Sequence, residues 1–464
     1  LPSTDPAVHD YSLTAPMWSG TPAAAATSDE SILACMLEVE VALATALARH
    51  DAIPQAHVGT IRAAADPDNF DVRSIALRAR GGGNPVIPLL SDLREQVRQL
   101  DPEAVASVHK SATSQDIVDS ALMLVAVRAV RIILADLRTA AAGLASLADR
   151  HRSTVMAART LTQQSVPTTF GLKAAGWLYG LTTAARRLER LAPELPAQLG
   201  GASGTLAATA QLLNPADALA VVDTFAAELG LLAPAMPWHT RRAPVTELGD
   251  ALAGVNDALG KIAVDIALLS RTEIAEVAEP AAAGRGGSSA MPQKQNPVLS
   301  VLMNAAARKA PALAAELHRS ALAVDERPDG AWHTEWSSLQ ELLRLVGGSA
   351  ALAAELTPGL QIDDAKMKAN LNLSGGLVLS ERLMLELAPV LGKDQVQQLI
   401  IRAGAGEDLQ TLLAAALNGA DRADDGEKPS VEQLLDPSGY VGCSDAFIGR
   451  ALSAYQQHFV RQEP

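Results

Sequence analysis

The sequence predicts an all-α protein, on two features of composition and one of spacing. Apolar residues fill 48% of the 464 positions, but aromatic residues only 3%. Ala and Leu supply most of the apolar share, and both are strong helix formers, while the residues that favour strands are sparse. Apolar positions then recur at helical spacing over long runs, broken by segments rich in Gly and Pro. The runs divide into three helical domains: a small one over 1–108, a central long-helix bundle over 109–355, and a second small one over 356–464.

Taken in order, residues 27–50 open with a capping-box pattern, Thr27 followed by Glu30, and Pro54 marks the stop. Shorter helical pieces over 56–108 are broken by "ADPDN" and "RGGGNPVIP". From Ser114 to Arg150 the pattern is almost free of Gly and Pro, giving a helix of roughly 50 Å. Further long helices are expected over 168–192, 206–230, 246–278 and 297–323, with breaks at "LPAQLGGASGT", "APAMPWHTRRAP", 284–297 and "DERPDGAWHTEW". Beyond 356 the pieces shorten, and 418–440 reads as an exposed polar loop.

The formal net charge of −14 argues against nucleic acid and anionic membranes as partners. An anionic substrate would be repelled at long range, so any anion site must be a local concentration of donors. Cys35 and Cys443 stand in no metal or redox spacing, which suits a reducing cytoplasm. The N-terminal residues show no signal-peptide pattern, and no run approaches ~18 charge-free apolar residues. Walker A, HExxH and GxSxG motifs are absent, and His333-Thr334-Glu335 lacks the CxxC that a zinc site would need. No metal and no cofactor are expected.

Three stretches can carry chemistry. GRGGSSAMPQKQNP at 284–297 breaks two helical runs. Its glycines allow a mobile backbone, and Ser288, Ser289, Lys294 and Asn296 are ordered as donors for an anion. In VHKSATSQDIVD at 108–119, Thr113 and Ser114 start the longest helix, with Asp116 placed to complete a capping box. A helix N-terminus with hydroxyls also suits a carboxylate, and His109 can donate to an anion or move a proton. In RTLTQQSVPTTFG at 159–171, Gln163 precedes Pro167 in what reads as a turn leading into a helix.

Together these stretches resemble the fumarase/aspartase superfamily of lyases. Its signature G-S-S-x-M-P-x-K-x-N-P is matched by GSSAMPQKQNP at 287–297, and ATSQD at 112–116 and TQQSVPTTFG at 162–171 resemble its other two shared regions in the same order. The resemblance implies a fumarase/aspartase-like subunit with three helical domains, a cytoplasmic homotetramer with sites shared between subunits, and a small anionic polycarboxylate as substrate. Within the superfamily, VHKSATSQD, GASGTLA at 201–207, PWHT at 237–240, GAWHTEW at 330–336 and NLNLSGGLVLSE at 370–381 are similar to the branch that lactonizes 3-carboxy-cis,cis-muconate in aromatic degradation.

That branch implies roles. Ser288 would be the catalytic serine, exchanging a proton with carbon. Lys294, Asn296, Thr113 and Ser114 would stabilise the enolate-like charge, and Gln163 and His109 would orient other carboxylates. Arg285 and Arg327 are further candidate cations. Leu161 stands where many superfamily lyases carry a histidine that serves the leaving heteroatom. A substrate carboxylate that attacks or departs needs no such acid, since it titrates near ~4. Lys110-Ser111, Arg241 and Leu161 depart from the branch's usual residues. The rival readings are another superfamily lyase, such as one acting on adenylosuccinate, and a non-catalytic relative. The first would lack its acid at Leu161. The second should have lost Ser288, Lys294 or Asn296.

Overall fold

The structure is a computed structural model, and it describes residues 10–419 and 430–460. Long helices dominate: Ser114–Arg150, Phe170–Leu191, Ala243–Leu269 and Val298–Ser320 fall on expected runs, and Ala331–Gly359 is a further one. The chain divides into two compact units. The first comprises residues 1–137, 184–260 and 302–352, and the second 138–183, 261–301 and 353–464.

In the first unit the helix Asp29–Arg49 is buried along most of its length. It lies against Pro215–Leu229 and is tied to it by His50 Nε2 to Thr224 Oγ1 at 2.9 Å and by Arg49 to Glu228 at 2.7 Å. The helix is long and apolar enough to resemble a membrane span by length and composition, but it carries Glu38 and Glu40, and 72% of that window is buried inside the protein. Small residues let helices approach closely: a Cβ on Gly260 would fall 2.5 Å from the Ala307 methyl.

In the second unit, Thr357 Oγ1 donates to the Ala140 carbonyl at 2.9 Å, and Gly143 meets Thr357 where a Cβ would clash. A leucine cluster including Leu383, Leu387, Leu399, Leu413 and Leu434 forms the core of its C-terminal part. Ala157 packs with Leu371, Val378 and Leu379 in a second cluster.

Several boundaries differ from the sequence reading. The cap of Asp29–Arg49 is Ser28, which accepts from Ser31 N at 3.1 Å; Thr27 instead closes the preceding helix, donating to Ala23 O. The run 206–230 is two helices, Ala207–Leu212 and Pro215–Leu229, because Asn214 caps a new helix whose first residue is Pro215. The run 246–278 ends at Leu269, and the chain then turns through Ala275, at φ +48°, into a short strand at Val277–Ala278. The "WHTEW" segment belongs to the helix Ala331–Gly359 rather than to a break. The 159–171 stretch is not a simple turn: Val155–Thr160 and Gln163–Thr169 pair as an antiparallel hairpin. Of the expected loop at 418–440, residues 420–429 lie outside the described residues; Val431–Leu435 is helical.

Candidate active site

The residues singled out by sequence fall in both units: His109, Thr113 and Ser114 in the first, and Gln163, Ser288, Lys294 and Asn296 in the second.

In the first unit the segment ahead of the Ser114–Arg150 helix is built around one carboxylate. Asp116 accepts from Thr113 N and Gly201 N at 3.0 Å through Oδ2. Through Oδ1 it accepts from Gly200 N at 2.9 Å and meets His239 Nε2 at 2.8 Å. The fully buried Asp116 therefore locks the 109–114 segment to the 200–201 turn. Only half of the expected capping box forms. The Thr113 hydroxyl accepts from Arg327 Nη2 at 2.6 Å, and the same Nη2 donates to Ala202 O at 3.0 Å. Arg327 thus stands beside the helix N-terminus. A Cβ on Gly200 would fall 2.8 Å from the His239 ring, so this turn needs glycine.

His109 adopts φ +59° and Ser111 φ +62°, a region costly for non-glycine residues. The His109 side chain is 11% exposed, and its Nδ1 lies 2.7 Å from Glu40 Oε1, on a carboxylate that is 1% exposed. Burial opposes the imidazolium, but the charge and hydrogen bond of Glu40 outweigh it, and the His109 pKa lies above its ordinary 6.5. Nδ1 of His109 is thus committed to Glu40. Deeper in this unit Arg242 is paired with Asp119 at 2.8 Å and Glu335 at 2.6 Å, and Trp332 Nε1 donates to Asp119 at 2.9 Å. This buried network joins the Ser114–Arg150 helix to the "WHTEW" and "WHTRR" segments.

In the second unit the signature loop is held at its base and its waist. Glu279 accepts from Leu299 N at 3.0 Å and from Ser300 N and Oγ at 2.7 and 2.6 Å, which places a carboxylate on the N-terminus of Val298–Ser320. Higher up, the Gly286 carbonyl accepts from Asn296 N at 2.8 Å and Asn296 Nδ2 at 3.0 Å. Gly286 has φ +70°, and a Cβ there would fall 2.7 Å from the Asn296 carbonyl. Asn296 thus clasps the loop in this structure. Arg285 is paired with Glu355. Beyond the clasp, Lys294 is exposed and Ser288 half-buried, with Ser288 Oγ accepting from Met291 N at 3.2 Å. A cavity of about 900 Å³ lies against the loop, lined by Glu279, Arg285, Gly286, Asn296, Gln361 and Asp363 among others. A smaller apolar cavity of about 330 Å³ in the first unit, beside Ile32, Met36, Ile75 and Trp336, is lined by none of the candidate residues His109, Thr113 and Ser114.

Gln163 is exposed at the start of the second hairpin strand, opposite Thr160. The two residues between them, Leu161 and Thr162, have φ +48° and +71°, and Leu161 is 96% exposed. Such two-residue turns are ordinarily made by Asn-Gly or similar pairs. Each non-glycine residue so held costs about 1–3 kcal/mol.

Sequence reasoning missed Glu40, Glu276 and Glu279. A signal existed for Glu40: a carboxylate inside the apolar run MLEVEVALATAL. Its neighbour Glu38 faces Arg128 at 2.5 Å near the surface, and only the fold separates the two roles.

A helical subunit with three anion-directed segments and a serine loop defines the class of a lyase. A family model described as "Lyase" matches residues 19–311. Nitrosuccinate lyase of Streptomyces davaonensis is 47% identical, over 96% of this chain and 95% of that protein. The 3-carboxy-cis,cis-muconate cycloisomerase of Pseudomonas aeruginosa is 40% identical over 96% of each. The crystal structure of 3-carboxy-cis,cis-muconate lactonizing enzyme from Pseudomonas putida matches with a TM-score of 0.84 and 36% identity, over 93% of this chain and 96% of that one. The chain belongs to the fumarase/aspartase superfamily of lyases, with relatives in the cycloisomerase branch.

Proposed function

We propose that this chain eliminates a weakly basic anion from a small polycarboxylate, and adds one in reverse. The observation that carries the reading is Leu161. An amine or hydroxide leaving from carbon must be protonated. Nitrite and a carboxylate are both conjugate bases of acids of carboxylic strength and leave unassisted. An apolar residue at the leaving-group position suits these two and disfavours the others.

Of the two, nitrosuccinate ranks first, because the relative bearing that name is 47% identical while the cycloisomerase relatives stand at 40% or below. Ser288 would take a proton from the carbon next to one carboxylate. The electron pair would be held as an enolate-like dianion by Lys294 and by the donors at Thr113, Ser114 and His109, with Gln163 orienting a second carboxylate. The carbon–nitrogen bond then breaks, its electrons leave as nitrite, and fumarate forms. Lys294 and the Met291 amide would lower the serine pKa. The second reading is cyclisation of 3-carboxy-cis,cis-muconate to 4-carboxymuconolactone, favoured by the cycloisomerase relatives and the segments shared with that branch. There a substrate carboxylate attacks the conjugated double bond, and Ser288 delivers the proton to carbon. Asn296 would join the substrate donors on loop closure, and a homotetramer with shared sites is part of the proposal, read by light scattering.

The test is purified protein with nitrosuccinate, 3-carboxy-cis,cis-muconate and adenylosuccinate, beside Ser288→Ala. Nitrite and fumarate release, abolished in the variant, is the expected result. Loss of diene absorbance alone would establish the second reading. Cleavage of adenylosuccinate would refute the inference from Leu161.

A further inference from the structure

The hairpin that carries Leu161 and Gln163 is anchored on both strands, just below its turn, to one buried group. Arg159 donates to Glu276 through two nitrogens, Nη1 to Oε2 at 2.9 Å and Nη2 to Oε1 at 2.7 Å. Asn370 Nδ2 donates to the same Oε1 at 2.9 Å and to Ile274 O at 2.7 Å. Gln164 Nε2 then donates to Asn370 O at 2.8 Å. Arg159 and Gln164 are cross-strand partners, each two residues from the turn. The Glu276 side chain is fully buried, and Asn370 is 3% exposed.

A Leu-Thr pair does not hold such a turn by its own preference, and a short hairpin is marginal alone. A buried, two-point Arg–carboxylate grip is the strongest kind of side-chain anchor. We infer that Glu276, Arg159 and Asn370 are positioning residues that hold the 161–162 turn in its strained form, and so fix where Gln163 and Leu161 meet the substrate. The brace permits a β-branched residue and an exposed leucine where glycine and asparagine would otherwise be needed. The inference rests on the proposed reaction only for its effect on turnover; the geometry of the turn is independent of it.

The test uses Glu276→Gln and the milder Arg159→Lys, which keeps the charge and loses the two-point grip. Amide hydrogen exchange over 155–169 and steady-state kinetics on the substrate turned over by the wild type are measured for each. Faster exchange confined to the hairpin, with kcat down about 10- to 100-fold, is expected. Thr162→Gly, which suits φ +71°, should restore both exchange protection and most of kcat in either background, while leaving the parent's kcat within about twofold. If Glu276→Gln does not fold, Arg159→Lys decides. Unchanged exchange and kcat in a folded variant would overturn the inference. So would a lowered melting temperature with kcat intact, or a failure of Thr162→Gly to rescue. If the wild type turns over none of the tested substrates, the functional reading fails, and exchange still decides the brace.

Discussion

Replacing Glu40 with Gln isolates the charge on His109. The side chain keeps its size and one acceptor oxygen, so the fold should persist with the loss of roughly one hydrogen bond's worth, about 1 kcal/mol. The effect on substrate is larger. With Glu40 present, the imidazolium meets a substrate carboxylate by a charge-assisted bond worth about 1.5–3 kcal/mol. Neither His109 nor Glu40 is solvent-screened, at 11% and 1% exposure. Without Glu40 the burial that opposes the cation acts alone, apart from a weaker attraction to Asp116 and repulsion from Arg94, and His109 titrates below rather than above 6.5. Near pH 7.5 the variant should then show KM raised about 10- to 150-fold. The pH dependence carries the sign. In the wild type KM should rise as pH is raised through the His109 pKa, above 6.5; in the variant that rise moves to lower pH. The ion pair also stabilises the fold below the unfolded pKa of about 6.5, a contribution lost as pH climbs through the folded pKa. Steady-state kinetics from pH 5.5 to 9 read the first effect, and thermal melts the second. A variant whose KM profile overlays the wild type would refute the claim that Glu40 raises the His109 pKa.

Two further substitutions separate loop from scaffold. Gly286→Ala places a methyl group against the Asn296 carbonyl at a backbone angle alanine avoids, so the clasp must open. We expect kcat to fall at least tenfold with the melting temperature nearly unchanged, because the loop tip is exposed and contributes little burial; a variant of full activity would count against the clasp. Arg242→Leu leaves Asp119 and Glu335 buried with no cation between them, and should cost about 3–5 kcal/mol in a urea titration. Loss of less than about 1 kcal/mol there would mean water reaches the pair.

The long helices were legible because their apolar period and their stops are local. The start of Ser114–Arg150 is marked by the Thr-Ser pair, and its length by the nearly unbroken run after it. The hairpin was not legible. Its strands are short, and the pairing of Val155 with Thr169 is a contact across 14 positions that no local period announces. The candidate residues were legible as donors, since Ser288, Lys294, His109 and Thr113 are each polar groups in a breaking segment. Their anchors were not: Asp116 reads as half of a capping box, and nothing in "RTEIAEVAEP" singles out Glu276. Each becomes an anchor only because segments more than 80 residues away arrive beside it.

Backbone strain points to the same segments without any reference to motifs. Among the described residues, eight other than glycine have positive φ: Asp51, His109, Ser111, Leu161, Thr162, Leu206, Ala275 and Asp325. Asp51 follows a helix end, where such a conformation is ordinary. His109 and Ser111 flank the anion-directed helix start, and Leu206 closes the glycine turn that Asp116 holds. Leu161 and Thr162 form the hairpin tip. Ala275 sets Glu276 under that hairpin, and Asp325 precedes Arg327, which donates to Thr113. Chance alone would scatter eight such residues over the loops. Their concentration means the surrounding contacts over-determine these backbones, and buried carboxylates supply such contacts: Glu40 on His109, Asp116 on the 113 and 200–201 amides, and Glu276 on Arg159. In each unit, then, a buried acid holds a strained segment at an angle the segment would not adopt by itself. That is the arrangement expected of donors that must not reorganise when charge develops on a substrate.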